Sequence, residues 1–142
     1  ALEIVRDDGR REQVLCETRS YLLHDLLHFA VESEAGLRGG FWGRLAAGTT
    51  LAEMNDRTRP VGPESPELSA IEQLVGALHG ATKGREADEL VAGMRRFAEA
   101  LGQSLPDWLT EPFVGRVKER LRRLVGHWNA TPYGGSMDLD WV

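Results

Sequence analysis

The spacing of hydrophobic positions changes along the chain, and each change marks an element. Residues 2–6, LEIVR, alternate in character and include β-branched members. Asp8-Gly9 is a hairpin turn signal, and REQVLC over 11–16 reads as the partner strand, with Val14 and Cys16 on one face. From Thr18 the period becomes helical. Thr18 or Ser20 offers a side-chain oxygen to the free N–H groups of a first turn, and the run YLLHDLLHFAVESEA stops at Gly36. After the glycine-rich stretch LRGGFWG, a short helix is expected from Phe41 to Ala47, with an extension to Met54 left open.

Residues 55–67 hold Pro60, Pro63 and Pro66, half of the six prolines, and read as a surface loop. Ser65-Pro66-Glu67 then opens a helix to about Gly80, striped by Leu68, Ile71, Leu74, Val75 and Leu78. Residues 85–101 form another, with Leu90, Val91, Met94, Phe97, Ala98 and Leu101 on one side. Thr110-Glu111-Pro112 starts a long amphipathic helix carrying Phe113, Val114, Val117, Leu121, Leu124, Val125 and Trp128. The closing SMDLDWV alternates strictly, with Met137, Leu139 and Trp141 on one face, which predicts a half-buried strand beside the N-terminal hairpin. The expected fold is α+β and mostly helical. A small three-stranded antiparallel sheet is packed by four to five helices in a single domain, 1–142.

Composition narrows the function classes. The chain has 142 residues, long enough for one real core. It holds no apolar run of the ~18 residues a membrane span needs, and ALEIVRDDGRR is too polar for a secretory leader. Cys16 is the single cysteine, so no internal disulfide forms and a reducing, cytoplasmic compartment is expected. A net charge of −5 argues against nucleic acid as a partner.

The chemistry concentrates in Tyr21 to Glu34. Two of the four histidines, His24 and His28, fall within five residues, and Glu32 follows at the same i+4 step. At about 100° per residue the three lie within roughly 80° on one helix face. Leu22, Leu23, Leu26, Leu27, Phe29 and Ala30 cover most of the rest of the circumference. Two histidines at i, i+4 present their nitrogens from one face, as zinc-binding helices do. A carboxylate beside them suits Zn²⁺, Fe²⁺ or Mn²⁺ better than Ca²⁺ or Mg²⁺. The expected metal ligands are therefore His24, His28 and Glu32, with Zn²⁺ the first choice of cofactor. Asp25 would orient a ligand imidazole, and Tyr21 would serve as hydrogen-bond donor or general acid. Three ligands over two turns span about 12 Å of rise. Glu32 must therefore bend back, or Glu34, His79 or His127 must complete the set.

The string His24-Asp25-Leu26-Leu27-His28 resembles the His-Asp-x-x-His signature of the ubiquinone-biosynthesis scaffold proteins, in which a later glutamate completes a metal site. The match spans those five residues, and the position of that family's glutamate is Gly40 here. The resemblance implies a metal-capable helix; the lipid-quinone role does not carry over. The chain is also similar to small bacterial proteins in which HDLLH is followed by GGFWG and a closing DLDW-type strand, a likeness that implies no activity.

Phe41 and Trp42, set between glycines, could wall a pocket for a small molecule; the favoured reading makes them core anchors. Arg116, Lys118, Arg120, Arg122 and Arg123 read as a solvated basic face interrupted by Glu119. Two functions follow. One is a metal-dependent protein with an open coordination position, suited to hydrolysis. The other is a non-catalytic interaction module with a structural histidine pair.

Overall fold

A helix with apolar residues at i, i+3 and i+4 must bury that stripe against another element. Among the described residues there are four long helices of that kind. The computed structural model describes residues 1–15, 21–54, 66–79 and 84–141. In chain order the elements are β1 (Leu2–Val5), β2 (Arg11–Val14), α1 (Tyr21–Ala35), α2 (Phe41–Ala46), α3 (Leu51–Met54), α4 (Pro66–His79), α5 (Ala87–Ala100) and α6 (Glu111–Ala130). The expected N-caps Thr18, Ser20 and Ser65, and the partner-strand residue Cys16, lie outside the described residues. No helix among the described residues is long and apolar enough to cross a membrane.

The long helices close a ring: α1 packs on α4 and α6, and α5 packs on the same two. Leu27 and Val31 of α1, Ile71 and Leu74 of α4, Val91 of α5, and Val114 and Val117 of α6 meet at its centre, each essentially sealed from solvent. Fully burying one such aliphatic side chain stabilises by about 1.5–3 kcal/mol, so the ring dominates the stability of the molecule. Its helix ends carry specific stops. Gly36 takes φ +66 after α1. The Leu37 N–H reaches the Glu32 carbonyl at 3.0 Å and the Gly36 N–H reaches that of Ser33 at 3.4 Å, the two bonds of a Schellman end. At α6 the Thr110 hydroxyl accepts the Phe113 N–H at 3.3 Å, as the Thr-Glu-Pro start predicted.

The hairpin is attached by polar bonds. β1 and β2 pair antiparallel with Leu2 opposite Val14 and Ile4 opposite Glu12. The Arg6 guanidinium bonds to the Leu45 carbonyl, to the Thr49 carbonyl at 2.8 Å and to Glu12 at 2.6 Å. It thereby ties the hairpin to the last turn of α2 and to the segment that leads into α3; the Leu45 carbonyl also accepts the Gly48 N–H at 3.1 Å. Glu12 accepts the Leu51 N–H at 3.0 Å. Thr50 and Glu53 bond reciprocally to each other's backbone N–H at 3.1 and 2.8 Å, a capping box that starts α3. The helix expected from Phe41 therefore ends at Ala46, and α3 is a separate turn beyond Gly48, which takes φ +110.

The C-terminal strand is corrected. Residues 136–141 are not in a strand, and β1 and β2 form the only sheet among the described residues. Trp141 instead packs edge-to-face on Phe29 of α1 at 5.7 Å. Met137 and Trp141 are half-buried while Asp138 and Asp140 are exposed. Leu139, the middle residue of the expected face, is exposed, so the alternation overstated the burial, and what there is at Trp141 comes from side-chain packing without a backbone ladder. The tail, the β1 side of the hairpin, Phe29 and α2 line a groove of about 900 Å³.

Candidate metal centre

The stripe on α1 falls at a seam. Leu23, Leu27 and Val31 turn into the ring core, Phe29 turns to Trp42 and Trp141, and the polar residues lie between. Facing His24 and His28 across this seam, α4 presents Glu72, and His79 two turns later on the same side. One ligand atom from each of His24, His28 and Glu72 lies within 4.8 Å of the other two. His28 Nε2 is 3.4 Å from Glu72 Oε1. The His24 and His28 rings meet at 4.6 Å between centroids, and the His79 ring stands 6.3 Å from that of His24. His28 is buried, whereas the His24 and Glu72 side chains are each 48% exposed. One wall of the group is thus fixed and the other two ligands can adjust.

Glu32 lies outside that three-residue group. Its side chain is fully buried, and Oε1 accepts the Trp42 backbone N–H at 3.1 Å. Trp42 belongs to the first turn of α2, whose N-cap residue Gly40 supplies no side-chain bond, so Glu32 caps α2 from a different helix. The fit depends on glycine. A Cβ added at Gly40 would fall well inside van der Waals distance of the Glu32 carboxyl group. The other oxygen, Oε2, faces His28 Nδ1 at 3.5 Å. These two atoms are the only buried side-chain polar atoms among the described residues that lack a hydrogen-bond partner.

Asp25 stands beside the group, with Oδ1 3.9 Å from His24 Nδ1. Burial pushes its carboxyl above the ordinary carboxylate range, opposed by the nearby imidazoles of His24 and His28. Tyr21 opens α1, and its side chain lies outside the described residues. Glu34, an alternative ligand from sequence, is turned to α6, where Arg116 and Arg120 hold its two oxygens at 2.8 and 2.9 Å. His127 sits in the exposed last turn of α6 and His79 adjoins the group. Glu72 is the residue the sequence reading missed. No local signal singles it out, because Glu67, Ser69 and Gln73 are polar on the same helix.

The other motifs are absorbed by the fold. Trp42 donates its indole N–H to the Asp25 carbonyl at 3.1 Å and meets Phe29 and Phe41 edge-to-face at 5.6 and 5.1 Å. That makes it an anchor between α1 and α2. The basic face of α6 is largely engaged within the chain: Arg116 and Arg120 on Glu34, Arg122 on Glu119, and Lys118 on the Arg85 carbonyl.

Compared with known proteins, the chain matches no family model, no curated protein and no solved structure.

Proposed function

We propose that the protein holds a divalent transition-metal ion, Zn²⁺ first, through His24, His28 and Glu72. The carrying observation is the convergence of two imidazoles and a carboxylate from α1 and α4 to within 4.8 Å. Ligand bonds of about 2.1 Å in a tetrahedron put ligand atoms about 3.4 Å apart. The group therefore closes by roughly an ångström, a movement within reach of the exposed His24 and Glu72 side chains. The nitrogen-rich donor set favours Zn²⁺, Fe²⁺ or Mn²⁺ over Ca²⁺ and Mg²⁺. Asp25 is suited to orient His24, and the His79 ring, 6.3 Å from that of His24, is a further nitrogen donor close by.

The test is uptake by untagged protein stripped with a chelator. Wild type takes up one equivalent of Zn²⁺ and gains about 2.7 kcal/mol of stability at free metal near 100 times Kd. His28→Ala and Glu72→Ala lose both effects. Uptake far below one equivalent for Zn²⁺, Mn²⁺ and Fe²⁺ alike, or unchanged uptake in both variants, removes the proposal.

The finer reading is hydrolysis, and it rests on the ligand count alone. Three protein ligands leave a position at which water becomes a nucleophile near neutral pH. Zinc-loaded wild type would then turn over p-nitrophenyl acetate or p-nitrophenyl phosphate while His28→Ala would not. Equal background rates leave a metal-holding protein without that activity.

A further inference from the structure

We propose that Glu32 is a positioning residue that couples metal binding at His28 to the docking of α2. This inference rests on the metal reading above and adds its linkage to the rest of the fold. The observation is a carboxylate with two faces and one of them unused. Oε1 is committed to the Trp42 N–H, and Oε2 stands 3.5 Å from His28 Nδ1 with neither atom hydrogen-bonded. A buried polar atom without a partner is costly, and here two such atoms face each other at 3.5 Å, so one hydrogen bond between them would satisfy both.

The geometry of His28 supplies that bond. Nε2 faces Glu72 and the shared group, and Nδ1 faces Glu32. An imidazole that ligates through Nε2 must carry its proton on Nδ1, and a carboxylate accepting that proton fixes the tautomer and the ring. Metal at Nε2 thus completes the Nδ1–H to Oε2 bond. That bond in turn holds the Glu32 carboxyl in the cradle that Gly40 leaves open, with Oε1 on α2. Metal occupancy and the first turn of α2 then stabilise each other, and by linkage the coupling runs equally in both directions.

Glu32→Gln separates the two faces. Its carboxamide oxygen still accepts the Trp42 N–H, so α2 stays docked. Its NH₂ then donates to His28 Nδ1, which forces the ring proton onto Nε2 and blocks the ligating nitrogen. The expected result is Zn²⁺ affinity weakened about 10- to 100-fold, measured by chelator competition, with an unchanged circular dichroism spectrum. In wild type, Zn²⁺ slows hydrogen exchange at the Trp42 amide; this arm needs no variant and stands even where Glu32→Gln folds poorly. A folded Glu32→Gln that binds Zn²⁺ as tightly as wild type, or Trp42 exchange indifferent to Zn²⁺ in protein that demonstrably binds it, overturns the inference and leaves the metal site standing. Failure of wild type to bind any of the three metals instead removes the metal reading, and this inference with it.

Discussion

Glu32 and Glu34 lie two residues apart on α1 and meet opposite electrostatic fates. Glu34 faces α6, where two arginines saturate its oxygens. Glu32 faces α2, with a backbone N–H on one oxygen and His28 Nδ1 at 3.5 Å from the other. Among the described residues no lysine or arginine pairs with Glu32 or Glu72. One side of the helix therefore carries its own cations. The other gathers carboxylates and imidazoles, with no ion pair from a lysine or arginine among the described residues. The proposed metal ion would sit on that second side, where it would meet no competing cation from the described residues.

Three changes sharpen this contrast, from the largest expected effect downward. Phe113→Ala on the α6 side removes a fully buried ring from the core and costs about 3–5 kcal/mol in chemical denaturation. It leaves metal uptake intact in the folded fraction, because the ring packs on Trp108 and under Arg116 and is not one of the proposed ligands. Gly40→Ala acts on the other side. Its new Cβ competes with the Glu32 carboxyl for one space, and overpacking of this kind costs about 1–3 kcal/mol. A loss as small as that of an exposed Gly→Ala change would break the account of the cradle. Glu34→Ala costs least, within about 1 kcal/mol. Arg116 and Arg120 are 57% and 37% exposed and water takes over their solvation. Repeating the measurement in 1 M salt shrinks the difference further.

Acid gives a separate handle on the attached hairpin. The Arg6 guanidinium, with help from the Leu51 N–H, holds the Glu12 carboxyl below its ordinary value of 4.5. The group binds a proton more readily unfolded than folded, so its stabilising contribution is complete above pH 4.5. It is lost as pH falls below that value through the folded one. Wild type therefore loses stability on acidification, and Glu12→Gln shows a shallower loss over the same window. Equal slopes in the two proteins would show that the Arg6–Glu12 contact does not govern it.

The helices were legible because their signals are local. Thr110-Glu111-Pro112 starts α6 where expected, Gly36 stops α1, and the apolar stripes enter one core. His24 and His28 were legible for the same reason, since a four-residue step on one helix brings their rings together. What the sequence could not carry was the partner across a helix pair. Glu72 joins the group only because α1 packs on α4, a tertiary fact that no spacing within either helix encodes. The 12 Å rise already told against Glu32 reaching the same ion unaided, and its carboxyl goes to α2 instead. The tail erred differently: of the face that MDLDW marked for cover, Met137 and Trp141 are half-buried and Leu139 is exposed, and the cover over Trp141 is a phenylalanine rather than a strand.

Phe29 finally bears on how the molecule assembles. It holds Trp42, a near neighbour in sequence, and Trp141, which arrives from almost the far end of the chain. The entropy of closing so long a loop grows only logarithmically, about 0.6 kcal/mol per doubling of length. Most of it is already spent once α6 lies against α1. Trp141 can therefore dock at little further cost, on the aromatic surface that Phe29 and Trp42 form together.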